Sequence, residues 1–239
     1  QEMNGWLHYG GGLELWRELY EPFNLVPFAA GSTGVQMAGW FNREINSMDD
    51  IKGLKMRIPG LGGDVITRAG GVSVTMPGGE LYTSMQTGVI DATEWVGPYN
   101  DLAFGFHQVA KYYYYPGWHE PGPILELIVN KDAYASLPKD LQAIVEGAAR
   151  AVNQDMLDEY TARNNSALVE LVETHGVDVR KLPDDVIVEL RRLSAEVVEE
   201  LAADSEISRR IAESVKAFQK QAMTYHEISE EAYYRARRQ

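Results

Sequence analysis

The sequence predicts an α/β fold in two lobes, on three observations. Residues 51–98 alternate short apolar strands with short helices in a β-α-β-α-β rhythm, joined by tight Pro and Gly turns. Residues Pro138–His175 read as one helical stretch with Gly147 as its interior breaker. From Pro183 onward the chain is almost all helix. Short links favour a largely parallel sheet with covering helices. A single helix over Pro138–His175 would be about 57 Å long at 1.5 Å per residue. That exceeds the diameter of a small domain, so the helix is expected to span both lobes.

The elements follow in order. Leu13, Leu15, Trp16, Leu19 and Tyr20 give a helical spacing over Gly10–Asn24. Leu25–Ala30 and Val35–Asn42 read as strands, with Gln36 the one strongly polar side chain of the second before Asn42. Ser47 caps a short helix whose first turn carries Asp49 and Asp50. Leu54–Ile58 alternates, with Leu54, Met56 and Ile58 on one face and Lys55 and Arg57 on the other. Helices over Gly62–Ala69 and Glu80–Thr87 flank a strand at Val72–Met76, and Val89–Val96 is the next strand. An aromatic-rich helix at Asn100–Ala110 precedes strands at Lys111–Gly117 and Pro123–Asn130, the latter with a buried pattern. Val177–Leu182 is a short strand, and the C-terminal helical region is expected to break near Asp204–Ser205. Its last part, Ile207–Gln239, carries a narrow stripe of Ile211, Val215, Phe218, Met223, Tyr225 and Ile228, which predicts packing on a partner subunit.

Composition narrows the function. The 239 residues carry a net charge of −13, which argues against nonspecific nucleic-acid binding and against attraction to anionic lipid. With no cysteine there is no disulfide, thiol chemistry or Cys-ligated metal. No run approaches the roughly 20 apolar residues of a transmembrane helix. The chain begins neither with Met nor with a signal-like segment, and reads as lacking its natural beginning.

Two charges stand out. Arg57 ends a strand at Pro59-Gly60, where ligands bind in open α/β sheets, and an arginine there can hold a carboxylate with two parallel hydrogen bonds. A surface arginine fits the same spacing. Glu94 lies inside an apolar strand, where a carboxylate needs a metal, Arg57 or an interlobe ion pair. Gln36 suits a ligand-binding amide or a satisfied core amide, and Trp95 suits core. The segment Trp118-His119-Glu120 is a loop with the composition to line a cleft. The five histidines show no zinc spacing, and no nucleophile elbow, P-loop or dinucleotide fingerprint is present.

Three stretches carry a resemblance: LKMRIPG with Arg57, VSVTMPGGELYTSMQTGVIDATEW, and LELIVNKDAYASLPKDLQAIVEGAA. Together they resemble the solute-binding subunits of tripartite ATP-independent periplasmic (TRAP) transporters, the DctP-like family, over nearly the whole chain. KYYYYPGWHEPG is similar to the subgroup that binds 2-oxo and 2-hydroxy monocarboxylates. The resemblance implies a two-lobed, periplasmic-binding-protein-like α/β fold with a lobe-spanning helix and a helical C-terminal extension. It implies that Arg57 clamps the ligand carboxylate. It also implies that Gln36, Glu94 and Trp95 contact the ligand and help hold a cation, Na⁺ or Ca²⁺, suited to oxygen donors.

The same resemblance divides the chain into 1–93, mostly the second lobe; 94–131, belonging to the first lobe; 132–182, the lobe-spanning helix and a short strand; and 183–239, a helical region with a possible dimerisation helix. About a hundred residues of the first lobe are expected upstream. The implied function is extracytoplasmic, in the periplasm: capture of an organic acid such as pyruvate or lactate and its delivery to TRAP membrane subunits. The alternative from the residues is an enzyme with Arg57 as clamp and Glu94 as general base, which needs a second acid/base group.

Overall fold

The computed structural model describes residues 1–238; Gln239, the last position of the expected C-terminal helix, lies outside them. The chain forms two compact units. Gly31–Pro123 and Gln154–Val198 make one; Gln1–Ala30, Ile124–Asn153 and the chain from Glu199 on make the other. The expected division at 93/94 does not coincide with this. Residues 94–123 cluster with 31–93 because their strands share one sheet.

That sheet is built from β2 (Gly39–Phe41), β3 (Lys55–Arg57), β4 (Val72–Val74), β5 (Ala92–Thr93), β6 (Tyr112–Tyr115) and β8 (Asp178–Lys181), where β1 (Leu25–Ser32) and β7 (Ile124–Asn130) are the remaining strands. Its order is β4-β3-β5-β2-β6-β8. β3 pairs parallel with β4 and β5, and β6 with β8, while β2 runs antiparallel to both β5 and β6. The sheet is therefore mixed rather than largely parallel. The rhythm of residues 51–98 describes the parallel β3, β4 and β5, whereas β2 precedes that stretch and its local pattern carries no direction. β2 is also shorter than the predicted strand. It opens at Gly39, φ +123°, where a Cβ would fall 2.4 Å from the Thr93 carbonyl oxygen.

Strand alternation splits the core between two faces. Phe41, Met56 and Tyr114 join Leu54 and Ile58 on one face, under α3 (Gly60–Arg68) and α8 (Asp184–Ala203), which contribute Val65, Ile66, Val186, Leu190, Leu193 and Val197. Trp40 and Tyr113 point to the other, against Leu81 and Met85 of α4 (Leu81–Thr87), Phe106 and Leu171. The predicted row Leu54, Met56 and Ile58 is buried as expected. The aromatic-rich helix is shorter, α5 (Pro98–Phe104), because Gly105 at φ +73° ends it.

The other unit opens with two helices where one was predicted. α1 (Glu2–Tyr9) and α2 (Gly12–Tyr20) are separated at Gly10-Gly11, and a Cβ on Gly12 would meet the Trp6 ring at 2.7 Å. β1 and β7 form a two-stranded sheet. β7 is not buried as its pattern suggested: Leu125 is 47% and Ile128 48% exposed, since β1 is its one strand neighbour among the described residues. α6 (Lys131–Ser136) follows, then α7 (Lys139–Glu173), an unbroken 35-residue helix of about 52 Å. Its first part belongs to this unit and its remainder to the other. The break at Asp204–Ser205 appears as predicted, with the Ser205 hydroxyl capping α9 (Glu206–Ile228) at Ser208 N–H; α10 (Glu230–Ala236) ends the described chain.

The α9 stripe does not need a second subunit along its first half. Phe218 packs on Gly5 and Gly10, the Trp6 indole donates to Ser214 Oγ at 3.0 Å, and Arg210 pairs with Glu18 on α2. Ile211 and Val215 are half-buried there, while Met223, Tyr225 and Ile228 are exposed. No helix among the described residues is long and apolar enough to cross a membrane.

Candidate functional site

The sheet register brings Arg57 and Glu94 together. Arg57 pairs with Thr93 between the parallel strands β3 and β5, and Glu94 N–H donates to the Arg57 carbonyl at 3.2 Å. The two residues therefore leave adjacent strand ends as near neighbours. The Arg57 guanidinium donates from Nη1 to Glu94 Oε1, and its Nε donates to the Met76 carbonyl at 3.4 Å. Its carbon also lies 5.5 Å from the centre of the Trp95 ring. The side chains are 12% and 4% exposed, so this is a buried ion pair rather than a surface arginine.

Gln36 reaches the same place from an extended segment ahead of β2. Its N–H donates to the Glu120 carbonyl at 3.3 Å, and its own carbonyl accepts from Gly117 N–H at 3.0 Å. A Cβ at Gly117 would fall 2.2 Å from the Gln36 carbonyl oxygen, so the two segments meet only because residue 117 is glycine. The Gln36 amide bonds the Glu120 carboxylate and lies 3.5 Å from Thr33 Oγ1, but its Oε1 is buried without a partner. Trp95 Nε1 is likewise buried and unpartnered, its ring lodged against Gly78 and Phe104.

Glu120 and His119 are members of this cluster that the sequence placed in a loop able to line a cleft. Burial, and after it the balance between His119 and the like charge of Glu94, holds the Glu120 carboxyl above the usual carboxylate range. His119 is 3% exposed, with Nε2 3.5 Å from Glu94 Oε2. The signal for both was the one that singled out Arg57: charged or titratable groups just past a Pro-Gly strand end, here Pro116-Gly117. The other histidines lie elsewhere. His175, just past the end of α7, packs against the ring of His107 at 4.1 Å.

Behind the pair, Asp101 fixes the strand end that carries Glu94 and Trp95. Its Oδ1 accepts from Val96 N–H at 3.2 Å and Gly97 N–H at 3.1 Å, and its Oδ2 from Tyr113 OH at 2.7 Å and Trp40 Nε1 at 2.9 Å. Complete burial pushes this carboxyl up to about 6, partly opposed by those four hydrogen bonds.

The donor set suits a hard cation beside an anionic ligand. Glu94, Glu120 and the orphaned Gln36 Oε1 are all oxygen donors. Among the described residues no three His, Cys, Asp or Glu side chains gather to hold a metal ion by themselves. A cation here would take further oxygens from the backbone and from the ligand itself.

Unpaired polar atoms around one buried arginine, at the strand ends of an α/β sheet, are features of a ligand-binding site. The chain belongs to the family of bacterial extracellular solute-binding proteins, family 7 (DctP), whose profile matches residues 4–205. It is 43% identical over 233 residues to the monocarboxylate 2-oxoacid-binding periplasmic protein of Nostoc sp., covering 98% of this chain and 64% of that protein's length. Its structure is similar to a TRAP periplasmic solute-binding protein from Colwellia psychrerythraea with bound calcium and pyruvate, with TM-score 0.95, 42% identity, and coverage of 98% of this chain and 72% of that one. A second, from Pseudoalteromonas atlantica with bound sodium and pyruvate, gives TM-score 0.93 and 41% identity, covering 98% and 71%. The family is one of transport solute-binding proteins, so the enzyme alternative with Glu94 as general base is set aside.

Proposed function

We propose that this chain captures a small 2-oxo or 2-hydroxy monocarboxylate, such as pyruvate or lactate, in the periplasm, together with Na⁺ or Ca²⁺, and delivers it to the membrane subunits of a TRAP transporter. The observation that carries this reading is the buried Arg57–Glu94 pair with the unpartnered Gln36 Oε1 and Trp95 Nε1 around it. Arg57 takes the ligand carboxylate. Gln36, Glu94 and the backbone at Trp95 hold the cation, with Glu120 beside them, and Trp95 and Gln36 also meet the ligand. The cation offsets the repulsion between the ligand carboxylate and Glu94. The ligands named for the Nostoc, Colwellia and Pseudoalteromonas proteins support the same class of acid.

Titration calorimetry with pyruvate and lactate tests it, in buffers containing Na⁺, Ca²⁺ or neither. Binding of either acid that weakens after chelation and Na⁺ removal is the expected result; no binding of either acid in any buffer overturns it. The exposed Met223, Tyr225 and Ile228 support a secondary reading, a homodimer through the C-terminal helix, and a monomeric mass at high concentration would exclude that.

A further inference from the structure

We propose that His119 is a specificity-determining contact of this site, reading the oxygen that the acid carries on the carbon next to its carboxylate. The inference rests on the carboxylate-binding reading above and adds a residue to it.

The His119 ring is almost fully enclosed, yet neither Nδ1 nor Nε2 has a hydrogen-bond partner. Leaving buried polar atoms unpaired is costly, and native proteins rarely keep two on one ring without a use. The ring stands inside the acidic cluster, with Nε2 3.5 Å from Glu94 Oε2, but it bonds neither that oxygen nor any other. Packing holds it there. Trp118 meets it edge to face at 5.4 Å, and a Cβ added at Gly62 would lie in ordinary contact with its own Cβ, 3.5 Å away.

Two other orphaned atoms, Gln36 Oε1 and Trp95 Nε1, belong to the same cluster, so three separate chain segments each bring an unpaired polar atom to it. Their chemistry divides the work. Arg57 is the carboxylate clamp. The Trp95 indole can only donate. A neutral imidazole offers one N–H and one acceptor nitrogen, so of the three orphaned groups His119 alone has both a donor for a keto oxygen and an acceptor for a hydroxyl, whereas Gln36 Oε1 only accepts and Trp95 Nε1 only donates. An acid with neither oxygen leaves the ring as unpaired as before. Sites built on such a hydrogen bond reject analogues that lack it.

The experiment compares pyruvate with propionate, which has the same carbon skeleton without the 2-oxygen, by calorimetry in Na⁺ buffer. Wild type is expected to prefer pyruvate. His119→Leu should weaken pyruvate binding by on the order of 10–100-fold and leave propionate nearly unchanged, and His119→Gln should restore part of the preference. An unchanged pyruvate-to-propionate ratio in His119→Leu, with wild type binding pyruvate, overturns this inference and leaves the carboxylate reading intact. Wild type that binds neither pyruvate nor lactate overturns both. Should the Leu variant not fold, ¹⁵N-histidine spectra of wild type decide: His119 resonances that move with pyruvate and not with propionate support the contact, and resonances indifferent to both remove it.

Discussion

Trp40 and Tyr113 lie stacked with ring centres 4.0 Å apart, and both donate to the same oxygen of Asp101. They sit on the antiparallel neighbours β2 and β6, opposite each other in register. Asp101 thus ties two central strands to the backbone just beyond Glu94 and Trp95. Its carboxyl moves from 3.8 to about 6 on folding. Between those values the folded chain binds more protons at this group than the unfolded chain. The associated stability is full below about pH 4 and lost as pH rises through about 6. Urea unfolding should show an Asp101 contribution of about 3 kcal/mol disappearing across that window. In Asp101→Asn that pH-dependent step should be missing; an unchanged step would mean another group carries it.

Arg57→Ala should cost roughly 2–5 kcal/mol of binding free energy for pyruvate, part of it from leaving Glu94 buried without its partner. Arg57→Lys should keep the charge but not the fork that holds a carboxylate at two points, and so recover little. Calorimetry of both variants, each first shown to be folded by circular dichroism, checks this. Wild-type affinity in the lysine variant would assign Arg57 a merely electrostatic role.

Gln36→Leu removes two atoms of different standing. The Oε1 atom satisfies nothing within the chain, but the amide nitrogen serves Glu120 and Thr33, so the unfolding free energy should fall by roughly 1–3 kcal/mol. Binding should suffer as well, and the difference between Na⁺-containing and cation-free buffer should flatten. A variant retaining the full cation dependence would take Gln36 out of the cation site.

Gly78→Ala tests the seat of the indole. The new Cβ would lie 2.6 Å from the Trp95 ring, so the ring must shift. Overpacking of this kind costs roughly 1–3 kcal/mol. Weaker pyruvate binding and an altered tryptophan emission spectrum are the expected readouts; unchanged affinity would show that the indole position is immaterial to the ligand.

Much of the sheet was legible because its information is local. The alternation at Leu54–Ile58 needed only five neighbouring side chains, and the Pro-Gly turn behind Arg57 marked a strand end. That Arg57 and Glu94 meet followed from two strands close in sequence lying side by side. Glu120 and His119 were legible only as part of a loop able to line a cleft. Their placement depends on the backbone pairing of Gln36 with Gly117 and Glu120, far apart in sequence, and on a clearance visible only in three dimensions. The same holds for α9, whose stripe looked unpartnered because α1, which covers it, lies at the other end of the chain. β7 failed in the opposite sense: its apolar composition is real, but composition does not supply a neighbour to cover it.

The chain passes between its two units at 30/31, 123/124, 153/154 and 198/199, so the segments of one interrupt those of the other. Neither unit corresponds to one uninterrupted stretch of gene. A single protease nick at 123/124 or 153/154 yields fragments that each own part of both halves, whereas one at 30/31 or 198/199 releases a piece of one unit alone. Transplanting the Arg57–Glu94 site into a relative therefore means exchanging two segments together, 31–123 and 154–198, and the second carries none of the acid-binding side chains.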